Sequence, residues 1–223
     1  KGDPAAVSLL ARALARDDRL EQGRRLLAAA LSSSPAHHEL LLATGELALL
    51  DGDAAGARQA FGRVLESRPN QAEAWYGIGL LESERENVQL ARLALEKSLA
   101  SDPGFSKAVS ERASLETFAG NLAEGRRLLT SLLEAEPDNY LALTALGINR
   151  LKSGDAAGAL EFFLKAGTIE PRYARAWLYS GVAFYQLEER ARAMEAFRKA
   201  SELDMKDPLP HLLESLTIAD ALE

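Results

Sequence analysis

Cysteine is missing from all 223 residues, which excludes disulfides, thiolate metal sites and cysteine nucleophiles together. The same absence does not choose between a reducing cytoplasm and an oxidising periplasm, so the compartment stays open. Histidine is scarce: His37, His38 and His211 form no cluster with ligand spacing for zinc. The adjacent pair sits at a turn, where its two imidazoles are expected to point apart. No stretch approaches the ~18 uninterrupted apolar residues that a membrane span needs, so no direct membrane insertion is expected. Basic excess is missing as well. The formal charge is −7, and Lys1 to Phe105 carry 12 basic against 15 acidic residues while Ser106 to Glu223 carry 14 against 18. An even, mildly acidic surface argues against nucleic acid and against a polybasic membrane anchor. Neither a glycine-rich phosphate loop nor a nucleophile elbow occurs. Enzymatic activity is not expected, and no cofactor is implied. The start at Lys1 shows neither an initiator methionine nor a signal peptide, which predicts a segment of a longer protein.

What is present is helix-forming. Eight prolines, sixteen glycines and two methionines stand against a visible excess of Ala, Leu, Arg and Glu, a composition that describes helices rather than sheet. Arginine outnumbers lysine 19 to 7, which with so much alanine points to a GC-rich bacterial genome.

Proline supplies a period, because Pro35, Pro69, Pro103, Pro137 and Pro171 are spaced 34 residues apart. Lining the chain up at that period produces further columns. Val7, Leu41, Trp75, Val109, Leu143 and Trp177 are large anchors, and four residues on stand Ala11, Gly45, Gly79, Ala113, Gly147 and Gly181. Side chains four apart share a helical face, and only small ones let a neighbouring backbone approach closely. A second small-then-large pair follows, with Gly23, Ala57, Ala91, Gly125, Ala159 and Ala193 ahead of Leu27, Phe61, Leu95, Leu129, Phe163 and Phe197. Each unit therefore reads as two helices. Six units are expected over 4–37, 38–71, 72–105, 106–139, 140–173 and 174–207. Within a unit, Asp51-Gly52-Asp53, Gly120-Asn121 and Ser153-Gly154-Asp155 supply a C-terminal glycine and an N-cap, with turns near 17–19, 51–53, 86, 120, 154 and 188. Glu86-Asn87 and Glu188-Glu189 lack the glycine, which predicts tighter or altered turns there.

These columns resemble the tetratricopeptide repeat family, whose pattern combines Trp, Gly, Tyr, Ala, Phe, Ala and Pro over 34 residues. The best single match is Trp177, Gly181, Phe184, Ala193, Phe197 and Ala200, with Met205 at the proline place. The resemblance implies an all-α fold, a right-handed α-solenoid of antiparallel helix pairs whose first helices line a concave groove and whose second helices face outward. Residues 208–223 read as a C-terminal capping helix or a truncated seventh repeat, with His211 at the large place and Ser215 at the small one. The Lys and Asn clamp of family members that hold chaperone C-termini is not reproduced, since the corresponding places carry Ser8, Arg12, Ala43 and Arg175. Nor is the asparagine ladder of the sugar transferases, whose column here is Leu9, Ala43, Gly77, Glu111, Ala145 and Tyr179.

Three features are candidates for function. Late in the first helices Glu82, Glu116 and Arg150 interrupt an apolar column, and with Arg112 they suggest an ion-paired ladder through repeats three to five. Arg24, Arg58, Arg92 and Arg126 form a column on the second helices, either a stripe for an acidic partner or arginines paired with carboxylates such as Glu96 and Glu124. Residues one, five and eight places after the large anchor share a face that the resemblance assigns to the groove. From that face come the predicted protein-binding residues Leu42, Tyr76, Leu80, Ile148, Leu151, Leu178, Val182 and Tyr185, with Leu212 and Leu216 extending the stripe. The expected function is a non-enzymatic scaffold that binds a peptide or protein segment in the groove. The alternatives are an accessory domain of an envelope or polysaccharide-export protein or of an enzyme, and a scaffold that self-associates through its solenoid ends.

Overall fold

Each 34-residue unit carries two apolar faces too narrow to bury themselves alone, and the chain solves this by pairing helices and stacking the pairs. The computed structural model describes residues 3–204 together with 209, 210 and 213. Twelve α-helices occupy the described residues: α1 (Pro4–Arg16), α2 (Leu20–Ser33), α3 (His38–Leu50), α4 (Ala54–Ser67), α5 (Ala72–Glu84), α6 (Val88–Ser101), α7 (Ser106–Phe118), α8 (Leu122–Ala135), α9 (Tyr140–Lys152), α10 (Ala156–Ile169), α11 (Ala174–Gln186) and α12 (Arg190–Leu203). No strand occurs among them. The chain divides into two compact units, residues 1–108 and 109–223. The places assigned to His211, Leu212, Ser215 and Leu216 lie outside the described residues.

In unit 1, α1 pairs with α2, α3 with α4 and α5 with α6, while α3 and α5 pack back onto the preceding pair. Gly45 of the small column and Gly77, two places after its anchor, make this possible. A Cβ added at Gly45 or Gly77 would sit 2.6 Å or 2.3 Å from the ring of Phe61, which is itself 1% exposed. Phe61 thus fills a slot between two first helices that only glycine leaves open. Unit 2 repeats the device: Phe163 lies against Gly147, and Phe197 against Gly181. Of the large anchors, Leu41 and Leu143 are buried in the core, at 2% exposure each, whereas the two tryptophans behave differently. Trp75 and Trp177 stay half-buried, and their indole N–H groups donate to the carbonyls of Pro69 (2.7 Å) and Pro171 (3.1 Å), tying each first helix to the proline turn before it.

The turn between the two helices of a unit is the same in all six. Asp18, Gly52, Glu86, Gly120, Gly154 and Glu188 all have positive φ, between 57° and 90°. The residue after each donates its N–H back to a carbonyl five positions earlier, as in Asp53 to Ala48 (2.8 Å), Asn87 to Glu82 (2.9 Å) and Glu189 to Phe184 (2.9 Å). Glu86 and Glu188 therefore do not alter the turn, contrary to the sequence reading. The hydrogen-bonded closure requires a left-handed residue at this place, and a glutamate adopts that conformation when glycine is absent.

Two readings of the turn polar residues also change. Asp53 and Asp155 cap their helices, accepting from Gly56 and Gly158 at 2.9 Å each, but Asn121 makes no side-chain cap. Its amide donates to Glu116 (2.7 Å), as Asn87 donates to Glu82 (2.8 Å). Both glutamates are buried, at 2% and 4% exposure, and the asparagine five residues on answers each of them. Arg150 reverses the signs, donating to Asp155 at 2.5 Å. The supposed ladder is instead a set of pairs closed within each repeat's own turn, supplemented by Arg58 on Glu82 and by Arg112, 3.9 Å from Glu116. A buried carboxylate is satisfied most cheaply by the nearest donor, and the turn places one five residues away.

Candidate functional site

The first helices of unit 1 carry the groove columns in register. Five places after the anchor stand Arg12, Glu46 and Leu80; one place after it stand Ser8, Leu42 and Tyr76. Arg12 on α1 and Glu46 on α3 join in a two-pronged ion pair, Nε to Oε2 at 2.6 Å and Nη2 to Oε1 at 3.0 Å. The hydrogen bond to Glu46 is the largest influence on Arg12 and holds its guanidinium proton more tightly than usual, against the opposing loss of water. Beside this pair opens a cavity of about 620 Å³, lined by Ala15, Leu49, Leu50, Tyr76, Leu80 and Phe105 among its apolar side chains. Phe61 and Gly77 also line it, so the slot that packs the core borders the groove. Tyr76 and Phe105 meet edge to face with centroids 5.3 Å apart, which fixes an aromatic wall. Leu50 is 68% exposed at the cavity's edge.

Of the predicted groove residues, Tyr76 and Leu80 line this cavity, while Leu42 is buried at 5% exposure in the core of unit 1. In unit 2, Ile148 and Leu178 are buried, at 7% and 8% exposure. Leu151 packs beside Ile148, and Val182 beside Leu178, each half-buried; Tyr185 is 40% exposed. The register is thus common to all eight, but α9 and α11 already cover part of the stripe in unit 2. Sequence reasoning missed two elements of the unit 1 groove. Opposite charges 34 residues apart in one column, Arg12 and Glu46, were the available signal for the ion pair. Leu50 stands nine places after its anchor, one residue beyond the face that was read.

The arginine column does not present free charges in a row. Arg24 pairs with Asp51 and Arg58 with Glu82; Arg92 donates to Gln89 (3.3 Å) and Arg126 to Asn149 (3.5 Å). Glu124, expected to pair with this column, is held by Arg127 at 2.8 Å. The imidazoles of His37 and His38 do not point apart but stack, with centroids 5.3 Å and planes 17° apart. Burial, followed by the charge of Arg68, lowers the proton affinity of His38 below the ordinary histidine range. Among the described residues no group of three or more His, Cys, Asp or Glu side chains is placed to hold a metal ion, and no helix is long and apolar enough to cross a membrane.

Comparison with known proteins bears on the fold. A family model of the tetratricopeptide repeat matches residues 8–63, 51–104, 111–166 and 148–208. The chain is 32% identical over 149 residues to the protein CTR9 homolog of Arabidopsis thaliana, covering 63% of this chain and 13% of that protein. It spans between 13% and 40% of the length of the curated relatives it matches. A solved tetratricopeptide repeat protein from Parabacteroides merdae superposes with a TM-score of 0.80 at 23% identity, covering 96% of this chain and 84% of that one. A chain of the APC/C hetero-tetramer Cut9-Hcn1 reaches a TM-score of 0.85 at 19% identity, over 96% of this chain and 42% of that chain. At such identities the structural likeness speaks for the fold alone.

Proposed function

The chain belongs to the tetratricopeptide repeat family, and from that premise we propose that it is a non-enzymatic interaction scaffold whose unit 1 groove holds an apolar or amphipathic segment of another protein. The observation that supports this reading is the open cavity beside the Arg12–Glu46 pair, walled by Tyr76 and Phe105 and edged by an uncovered Leu50. A leucine left bare beside a rigid aromatic wall is a surface that gains by being covered. Tyr76 and Leu80 contact the segment directly, and Leu42 supports them from the core. Leu151, Val182 and Tyr185 supply a smaller apolar surface in unit 2, with Ile148 and Leu178 beneath it.

The test is a panel of fluorescein-labelled amphipathic helical and extended peptides, measured by fluorescence anisotropy against the parent and two variants. Leu50→Asp should weaken every bound peptide by about tenfold or more, equivalent to about 1.4 kcal/mol. Leu93→Asp should leave binding unchanged, because Leu93 is 49% exposed on the second helix α6 and does not line the cavity. Equal loss in both variants, or none in Leu50→Asp, refutes the assignment.

A further inference from the structure

The unit 1 groove has a direction as well as a shape. Nine places after the anchor, α1, α3 and α5 carry Arg16, Leu50 and Glu84, spaced 34 residues apart and therefore in one register along the stack. All three line the cavity. The charged groups at the centre cancel each other, since Arg12 and Glu46 form their two-pronged pair. Arg16 and Glu84, by contrast, make no hydrogen bond or ion pair among the described residues. One edge of the groove thus runs from an unanswered cation, past an uncovered leucine, to an unanswered carboxylate.

We propose that this edge selects a segment by its charge polarity, with an acidic group set against Arg16, an apolar side chain over Leu50 and a basic group against Glu84. The proposal rests on the groove reading above and names the chemistry of its occupant. Stacked helices lie about 8–10 Å apart, so Arg16 and Glu84 are separated by about 20 Å. A chain in the polyproline II conformation advances ~3.1 Å per residue with three residues per turn, so every third side chain returns to one face and six residues cover about 19 Å. A segment of the form acid, two residues, apolar, two residues, base meets all three side chains at once. The opposite wall carries the reverse order, Glu73 on α5 followed by Lys107 on α7, and Glu73 already accepts from Gln71 at 2.5 Å. A single segment cannot satisfy both walls, and the wall with two unanswered charges and the exposed leucine is the one that gains from it.

Four fluorescein-labelled heptapeptides test this by anisotropy at low and at physiological ionic strength: Glu-Ala-Ala-Leu-Ala-Ala-Lys, its Gln/Gln counterpart, and the Glu/Glu and Lys/Lys forms. The parent protein should favour the mixed peptide over the neutral one by about fivefold at low salt, as expected for two exposed ion pairs, and by less at physiological salt. Arg16→Glu should switch the preference to Lys/Lys, and Glu84→Arg to Glu/Glu. Arg16→Gln, the milder change at a helix end, should abolish discrimination at that end alone. Equal binding of all four peptides by the parent overturns the polarity and leaves the groove reading standing. Binding of none above the level of Leu50→Asp overturns both. A preference switched by Lys107→Glu and not by Arg16→Glu places the segment on the other wall and overturns this assignment.

Discussion

Replacing Glu86 by glycine should stabilise the protein. Glu86 sits at the left-handed turn position with φ 59°, where Gly52, Gly120 and Gly154 occupy the same column. A left-handed conformation costs a non-glycine residue about 1–2 kcal/mol. Glycine removes that cost but gives the unfolded chain more freedom, which takes back about 0.4–1 kcal/mol. Glu86 also places a negative charge just past the C-terminus of α5, where the helix dipole disfavours it by a few tenths of a kcal/mol, roughly 0.3 at an exposed site. The side chain is exposed and makes no hydrogen bond or ion pair among the described residues, so no contact is lost. The balance is a gain of about 1 kcal/mol, or about 2–4 °C in Tm for a chain of this size. Urea titration followed by helical circular dichroism reads this as a higher midpoint at unchanged slope. Glu86→Ala separates the terms, since it removes the charge but keeps the left-handed cost, and should recover no more than the dipole part. The reverse change Gly154→Ala meets no atom within 4 Å and should be destabilising through the backbone alone. A Glu86→Gly protein no more stable than the parent, or one matched by Glu86→Ala, would refute the reasoning.

Three further changes have defined outcomes. Asn149 is fully buried and donates to the Thr117 hydroxyl and the Leu122 carbonyl, both at 2.9 Å, so Asn149→Ala should cost about 2 kcal/mol in chemical denaturation by stranding buried acceptors. Gly147→Ala should be destabilising by about 2 kcal/mol, although alanine is the better helix former by ~1 kcal/mol, because its Cβ would lie 2.4 Å from the Phe163 ring. Burial raises the proton affinity of Glu82, but hydrogen bonds from Arg58 and Asn87 outweigh it and hold the carboxyl below its ordinary 4.5. Its contribution to stability is therefore whole above that ordinary value and is lost as pH falls through the lower folded one. Denaturation midpoints measured from neutral pH downward should accordingly fall less steeply in acid for Glu82→Gln than for the parent.

The architecture was legible in the sequence because a repeat states the same local physics six times. Small residues four places from large ones, helix-ending glycines and turn prolines recur at 34 residues, and each recurrence confirms the period independently of any partner. Turn places were readable for the same reason, but that Glu86 and Glu188 adopt the same positive φ as the glycines of their column was not. Tertiary structure decided what depends on distances between side chains. Glu82 and Glu116 lie in an apolar column whose burial is evident from the repeat, but only the folded turn brings Asn87 and Asn121 within hydrogen-bonding reach of them. The groove residues shared a register in sequence, yet register does not say how closely neighbouring helices sit. That spacing buries Ile148 and Leu178 in unit 2 and Leu42 in unit 1, whereas Tyr76 and Leu80 line a cavity and Leu50 stays uncovered beside it.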